Sequence, residues 1–178
     1  GQNARIVASP RMVNLQWNQV VLYPVGRVAM DVPVRASVRL PAGWRQASAL
    51  AAEPGIADAG LVRFETVPLE VLVDSPLFAG PNFASYELTP AGSAPVRLNV
   101  FGDDPADVKA TPEQVELHRA LVREVVSALG PPRYDRYDFL LSLSESISGI
   151  GIEHHRSSEN SQPPTYFREW DSDIDGRD

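Results

Sequence analysis

The chain contains no cysteine, which excludes disulfides and thiolate metal sites and leaves the redox compartment undetermined. It contains a single lysine, Lys109, and its arginines are dispersed. A nucleic-acid binder gathers Lys and Arg onto one face, so that class is set aside. No run of about 18 consecutive apolar residues occurs, and the first residues do not place a basic segment before an apolar one. The sequence therefore reads as having neither a membrane span nor a signal peptide. Localisation stays open on these grounds, with a bacterial periplasmic or secreted protein favoured over a cytoplasmic one.

What is present fits a globular fold. The chain has 178 residues, 43% of them hydrophobic, enough for one large domain or two modest ones. The net charge of −7 is unevenly spread: residues 1–64 hold seven arginines and three acids, net +4, which leaves net −11 for the remainder. Dispersed arginines of this kind read as solvated positions on strand faces.

Residues 12–24 mix apolar and polar side chains and end in Val20-Val21-Leu22-Tyr23 before Pro24, which reads as a strand and then a turn. The clearest alternation follows, with Val32, Val34, Ala36, Val38 and Leu40 on one face and Pro33, Arg35, Ser37 and Arg39 on the other. This is a half-buried strand near a sheet edge. Short strands are expected at 61–64, 83–88 and 96–100, whereas Pro68–Pro76 fits either a helical turn or a strand. Pro and Gly punctuation between short strands suggests a β-sandwich or part of one. Composition changes at Gly102-Asp103-Asp104-Pro105, which divides the chain into a β-rich part, 1–105, and the beginning of an α/β part, 106–178. Thr111-Pro112-Glu113-Gln114 opens a helix with an N-cap, a first-turn proline and a capping-box glutamine, and Gly130 with two prolines closes it, which predicts a helix over 112–129. Leu117, Leu121, Val125 and Leu129 form its apolar stripe, joined by Val122. His118 flanks that stripe and reads as structural. Residues 137–144 then read as a strand with Tyr137, Phe139, Leu141 and Leu143 on one face and Leu140 on the other. The fold class is mainly β with an α+β C-terminal part that looks too small to close its own core. The helix stripe and this strand therefore need a second cover, from the β region or from another copy of the chain.

The only dense polar cluster follows a Gly-Ile-Gly turn: Glu153, His154, His155, Arg156, Ser157 and Ser158. Adjacent histidines point to different sides of a strand or helix, so His154 and His155 are not expected to hold one metal ion. Ser157 and Ser158 lie near His155, but no Gly-x-Ser-x-Gly elbow accompanies them. Asp171-Ser172-Asp173-Ile174-Asp175-Gly176 matches the first half of a calcium loop without its twelfth-position glutamate, and reads as a chance acidic loop. Glu153, at the end of an apolar segment, is able to meet a ligand cation or to form an ion pair with Arg156; both readings stay open on the residues alone.

The segment Tyr134-Asp135-Arg136-Tyr137-Asp138-Phe139-Leu140-Leu141, followed by Gly149-Ile150-Gly151-Ile152-Glu153-His154-His155-Arg156-Ser157-Ser158-Glu159-Asn160, resembles the M61 glycyl aminopeptidase family. Met12–Asn18, Leu22-Tyr23-Pro24, Leu40–Trp44, Leu72–Pro76, Trp170-Asp171 and Asp175–Asp178 look like the same family, so the resemblance covers nearly the whole chain. It implies a zinc aminopeptidase with a thermolysin-like catalytic domain behind an N-terminal β domain, removing Gly- or Ala-type residues from peptides with a free N-terminus. The His-Glu-x-x-His helix does not occur in this sequence, so the chain alone is expected to hold no catalytic residues, no zinc and no activity. The resemblance makes Glu153 the analogue of a glutamate that holds the substrate's α-amino group, with Gly151, Ile152 and His154 beside it. Ile150 stands where the related motif often has glycine. Neither nucleic acid nor membrane is expected as a partner, and self-association through uncovered faces is. The competing expectation is a non-catalytic β-sandwich binding module.

Overall fold

The computed structural model describes residues 7–54 and 60–170. In the first part, β1 (Val7–Ala8), β2 (Val13–Leu15), β3 (Pro33–Val34), β4 (Ser37–Arg39), β5 (Arg45–Ser48), β6 (Leu61–Arg63), β7 (Val67–Pro68), the short helix α1 (Leu69–Val73) and β8 (Leu77–Gly80) follow one another. An antiparallel sheet has the order β1-β2-β8-β5, while β3 pairs with β7 and β4 with β6 as two ribbons. The alternation at 32–40 is realised: Val32, Val34, Ala36, Val38 and Leu40 are partly buried and the residues between them are exposed. One ribbon face meets a core built on Trp17, Leu50, Phe64, Leu69 and Leu77, and the other meets water. Pro33 lies opposite Pro68 in a two-stranded ribbon, where a missing N–H interrupts no central ladder.

Two details differ from expectation or settle it. The stretch at 68–76 forms α1, and the strand expected over 12–24 ends at Leu15. Trp17 Nε1 donates to the Ser75 carbonyl at 2.8 Å, and the chain enters a single 3-10 turn, Trp17–Gln19. Because β1 and β8 already flank β2, the Val20–Tyr23 run finds no free side on that strand, and Leu22 is 97% exposed.

The second part adds β9 (Phe83–Glu87), β10 (Val96–Gly102), α2 (Pro112–Leu129), β11 (Tyr137–Leu143), β12 (Gly151–Glu153) and β13 (Ser157–Gln162). They form one sheet in the order β12-β13-β11-β10-β9, in which β10, β11 and β13 run parallel and the two outer strands antiparallel. The composition change at residues 102–105 falls in the crossover that carries the chain through α2 and makes β10 and β11 parallel.

Helix α2 begins and ends where its caps lie. Thr111 Oγ1 accepts from Gln114 N, Gln114 Oε1 accepts from Thr111 N at 2.8 Å, and Gly130 at φ +85° takes the C-terminal position. Gln114 does a second job, because its Nε2 donates to the Phe167 carbonyl at 2.7 Å. Replacing Thr111 by Ala is expected to lower stability by about 1 kcal/mol. Urea unfolding should show an earlier midpoint at unchanged slope, and an unmoved midpoint would mean that Gln114 alone holds the turn.

Layering follows from which side chains share a face. Val115 and Val122 of α2 pack on Leu98, Val100, Phe139, Leu141 and Leu143. On the opposite face, Phe83, Phe101 and Leu140 meet Ala47 and Phe78 of the first sheet and Met12 just before β2. The β region thus covers one face of β11, as the sequence required. The α2 stripe is not covered: Leu117, Leu121, Val125 and Leu129 are between 46% and 83% exposed. No helix of the described residues is long and apolar enough to cross a membrane.

Candidate functional site

Strand register sorts the polar cluster onto two faces. Leu98, Phe139, Ser158 and Glu153 form one row across β10, β11, β13 and β12, on the side that α2 covers. The adjacent row, Asn99, Leu140, Glu159 and Ile152, faces the four-stranded sheet. Successive residues of a strand alternate sides, so Glu153 and Glu159 end in opposite surroundings although they lie in one hairpin.

Among the described residues β12 is the sheet edge, with β13 on one side and no strand on the other. Gly151 and Glu153 are exposed there and Ile152 is half-buried. Among the described residues the Glu153 side chain has neither a hydrogen bond nor an ion pair. Arg156 turns to Asp135 instead, at 3.2 and 3.3 Å. Tyr137 feels Glu153: burial pushes its phenol above the usual range, a hydrogen bond with Ser158 opposes this, and the Glu153 charge adds to the upward push. An unpaired strand edge beside an uncompensated carboxylate can pair with an extended backbone and meet a cationic group at one end of it. A cavity of about 280 Å³, lined by Ser144, Glu145, Ser148, Gly149, Ser161 and Gln162, lies past the C-terminal ends of β11 and β13, beyond the start of β12 and away from Glu153.

Behind the edge sits a cluster that the sequence did not announce. Glu159 is fully buried, and its Oε2 accepts from Asn14 Nδ2 at 2.6 Å and from Gln16 Nε2 at 2.7 Å. Its Oε1 lies 2.9 Å from His154 Nε2, and the other ring nitrogen of His154 lies 3.2 Å from Asp74 Oδ1. Asp74 Oδ2 also accepts from the His155 backbone N–H at 2.9 Å. Burial depresses the His154 pKa, but hydrogen bonds and charge from Glu159 and Asp74 outweigh that and hold it above the ordinary histidine value. The only hint of this cluster is Asn14 and Gln16, which alternate with Val13 and Leu15 and so share one side of β2.

The remaining candidates disperse. His155 is exposed while His154 is turned inward. Ser157 and Ser158 are buried in β13, where Ser158 Oγ accepts from Asn160 Nδ2 at 2.8 Å. His118 is partly buried, its Nδ1 2.7 Å from the Gln114 carbonyl, among the rings of Tyr166, Phe167 and Trp170. Among the described residues, no group of three or more His, Asp or Glu side chains is placed to hold a metal ion. The Asp171–Gly176 run lies outside the described residues.

Residues 2–81 match the family model of the Peptidase M61 N-terminal domain. Of the solved structures, the chain is similar to an aminopeptidase N family protein from Idiomarina loihiensis, with a TM-score of 0.69 and 17% identity over 88% of this chain and 26% of that one. It is similar to yeast LTA4 hydrolase, with a TM-score of 0.58 and 16% identity over 93% of this chain and 25% of that one. It is also similar to the M1 zinc metallopeptidase from Deinococcus radiodurans, with a TM-score of 0.54 and 16% identity over 88% of this chain and 37% of that one. At these identities the likeness is one of fold, and the chain spans between 25% and 37% of the length of those structures. None of the curated proteins matches it in sequence.

Proposed function

We propose, starting from an M61 peptidase N-terminal domain at residues 2–81, that this chain supplies the substrate-recognition edge of a zinc-dependent aminopeptidase. The part through β8 lies in that N-terminal domain, and the sheet of β9 to β13 with α2, which the sequence reading divided at residue 105, belongs as one unit to the catalytic domain. The substrate class is a peptide with a free N-terminus, of Gly or Ala type. The observation that carries this reading is the exposed carboxylate of Glu153 at the end of a strand edge that, among the described residues, has no pairing strand and no cation against that carboxylate. A peptide laid along β12 would exchange backbone hydrogen bonds with it, and its ammonium group would meet Glu153. An internal peptide bond or an acetylated terminus brings no charge to that position, so a carboxylate there discriminates in favour of the first residue. Gly151 leaves room for close backbone approach, because a Cβ built on it would meet nothing within 4 Å on the protein side. The zinc implied by this class finds no ligand set among the described residues, and no hydrolytic step is assigned to this chain.

The test is binding to the 178-residue chain, followed by chemical-shift changes in the β12 amides. Triglycine is expected to bind at least tenfold more tightly than N-acetyl-triglycine, and Glu153→Gln to abolish that difference, as the loss of a charged hydrogen bond of about 1.5–3 kcal/mol requires. Equal binding of the free and blocked peptides by wild type would overturn the reading in favour of a β-rich module without amine selectivity.

A further inference from the structure

We propose that His154 is a positioning residue, an imidazolium strut between Asp74 at the end of α1 and Glu159 in β13 that fixes where the β12 edge and its Glu153 stand. The positioning role rests on the reading of β12 as a recognition edge; the strut itself rests on geometry alone. Both ring nitrogens lie within hydrogen-bond distance of a carboxylate oxygen, at 3.2 and 2.9 Å. Only the protonated ring carries an N–H on both nitrogens; a neutral ring would turn a lone pair toward one of the two carboxylates. The charged groups that face the ring are therefore Asp74 and Glu159. β2 and the residue after it contribute only the neutral amides of Asn14 and Gln16, and Arg156 of the same hairpin is paired with Asp135.

The leverage of the strut comes from where it is attached. His154 directly follows Glu153, its backbone N–H closes the hairpin on the Ser157 carbonyl at 2.8 Å, and Asp74 grips both its ring and the next backbone N–H. α1 and Asp74 belong to the first part of the chain, whereas β12 and β13 belong to the second. One imidazole thus ties the turn that presents Glu153 to the β domain behind it. The raised His154 pKa sets the sign: the strut is fully made below the ordinary histidine value and is lost as pH rises through the folded value.

The experiment uses the 178-residue chain, its three histidine rings followed by carbon-edited NMR, and amide hydrogen exchange at β12. In the wild type the His154 ring should titrate above the ordinary value of about 6.5. The conservative variant Asp74→Asn should lower that midpoint by about one pH unit. At pH 6 it should speed β12 exchange about tenfold with β10 unchanged, and wild type should reach the same β12 exchange, after correction for intrinsic base catalysis, only above the His154 midpoint. A His154 midpoint at or below the ordinary value, or β12 exchange indifferent to Asp74→Asn, would overturn the proposal. Neither readout involves a peptide, so the strut can fail while amine recognition by Glu153 holds, and the reverse.

Discussion

Replacing Glu159 by alanine is expected to cost about 3–5 kcal/mol, the range for removing one partner from a buried charged network. The carboxylate is fully buried and takes hydrogen bonds from Asn14 in β2, from Gln16 just after it, and from His154 in the β12–β13 turn of its own sheet. Without it, the buried Asn14 Nδ2 loses its acceptor, Gln16 Nε2 keeps only Asn14 Oδ1, and the imidazolium keeps only the more exposed Asp74. Glu159→Gln should cost less, since its carbonyl oxygen can still accept from the two amides, although its NH2 group then replaces the acceptor that faces His154 and favours the neutral ring. Urea denaturation followed by tryptophan fluorescence gives both numbers. A loss below 1 kcal/mol for the alanine variant would mean that water replaces the carboxylate and the cluster is not a dry seam.

The second large effect is expected at Phe101, fully buried in β10. Its ring lies 4.8 Å from that of Phe83 and 6.2 Å, edge on, from that of Phe78 in β8, so it is shared between the two sheets. Phe101→Ala should cost about 3–5 kcal/mol, the sum of lost transfer energy and a cavity that two stiff sheets cannot close. A double-mutant cycle with Phe78→Ala should return about 0.5–1.5 kcal/mol of coupling. Additive losses would show that the sheets meet without depending on each other's packing.

How much of this was legible in the sequence depends on whether the deciding chemistry is local. Helix α2 has the predicted bounds because Thr111, Gln114 and Gly130 act within one turn of themselves. The Val32–Leu40 alternation and the two faces of β11 were equally readable, since period two needs only a core on one side. β13 was not readable as a strand. Ser157-Ser158-Glu159-Asn160-Ser161-Gln162 carries no apolar period, and it is a strand because β11 and β12 pair with it on both sides. The Val20–Tyr23 run fails in the opposite way: its composition suits a strand, but β2 has no free side to offer it. For the candidate site, Glu153 stood out by its place after a glycine turn. Glu159 and Asp74 did not, because their meaning comes from partners 145 and 80 residues away.

The mixed pairing of the larger sheet also sets an order of assembly. β9 and β10 are antiparallel neighbours joined by a short connection, a hairpin of the kind that closes in microseconds. β11 can join in parallel only after the chain has travelled through α2, and β13 only after β11, so both await larger loop closures. The β12–β13 hairpin is itself local, but its place beside β11 waits on that longer closure, and its seam with the β domain is complete only when residue 159 reaches residues 14 and 16. Without that docking the chain presents no ordered edge and no placed Glu153.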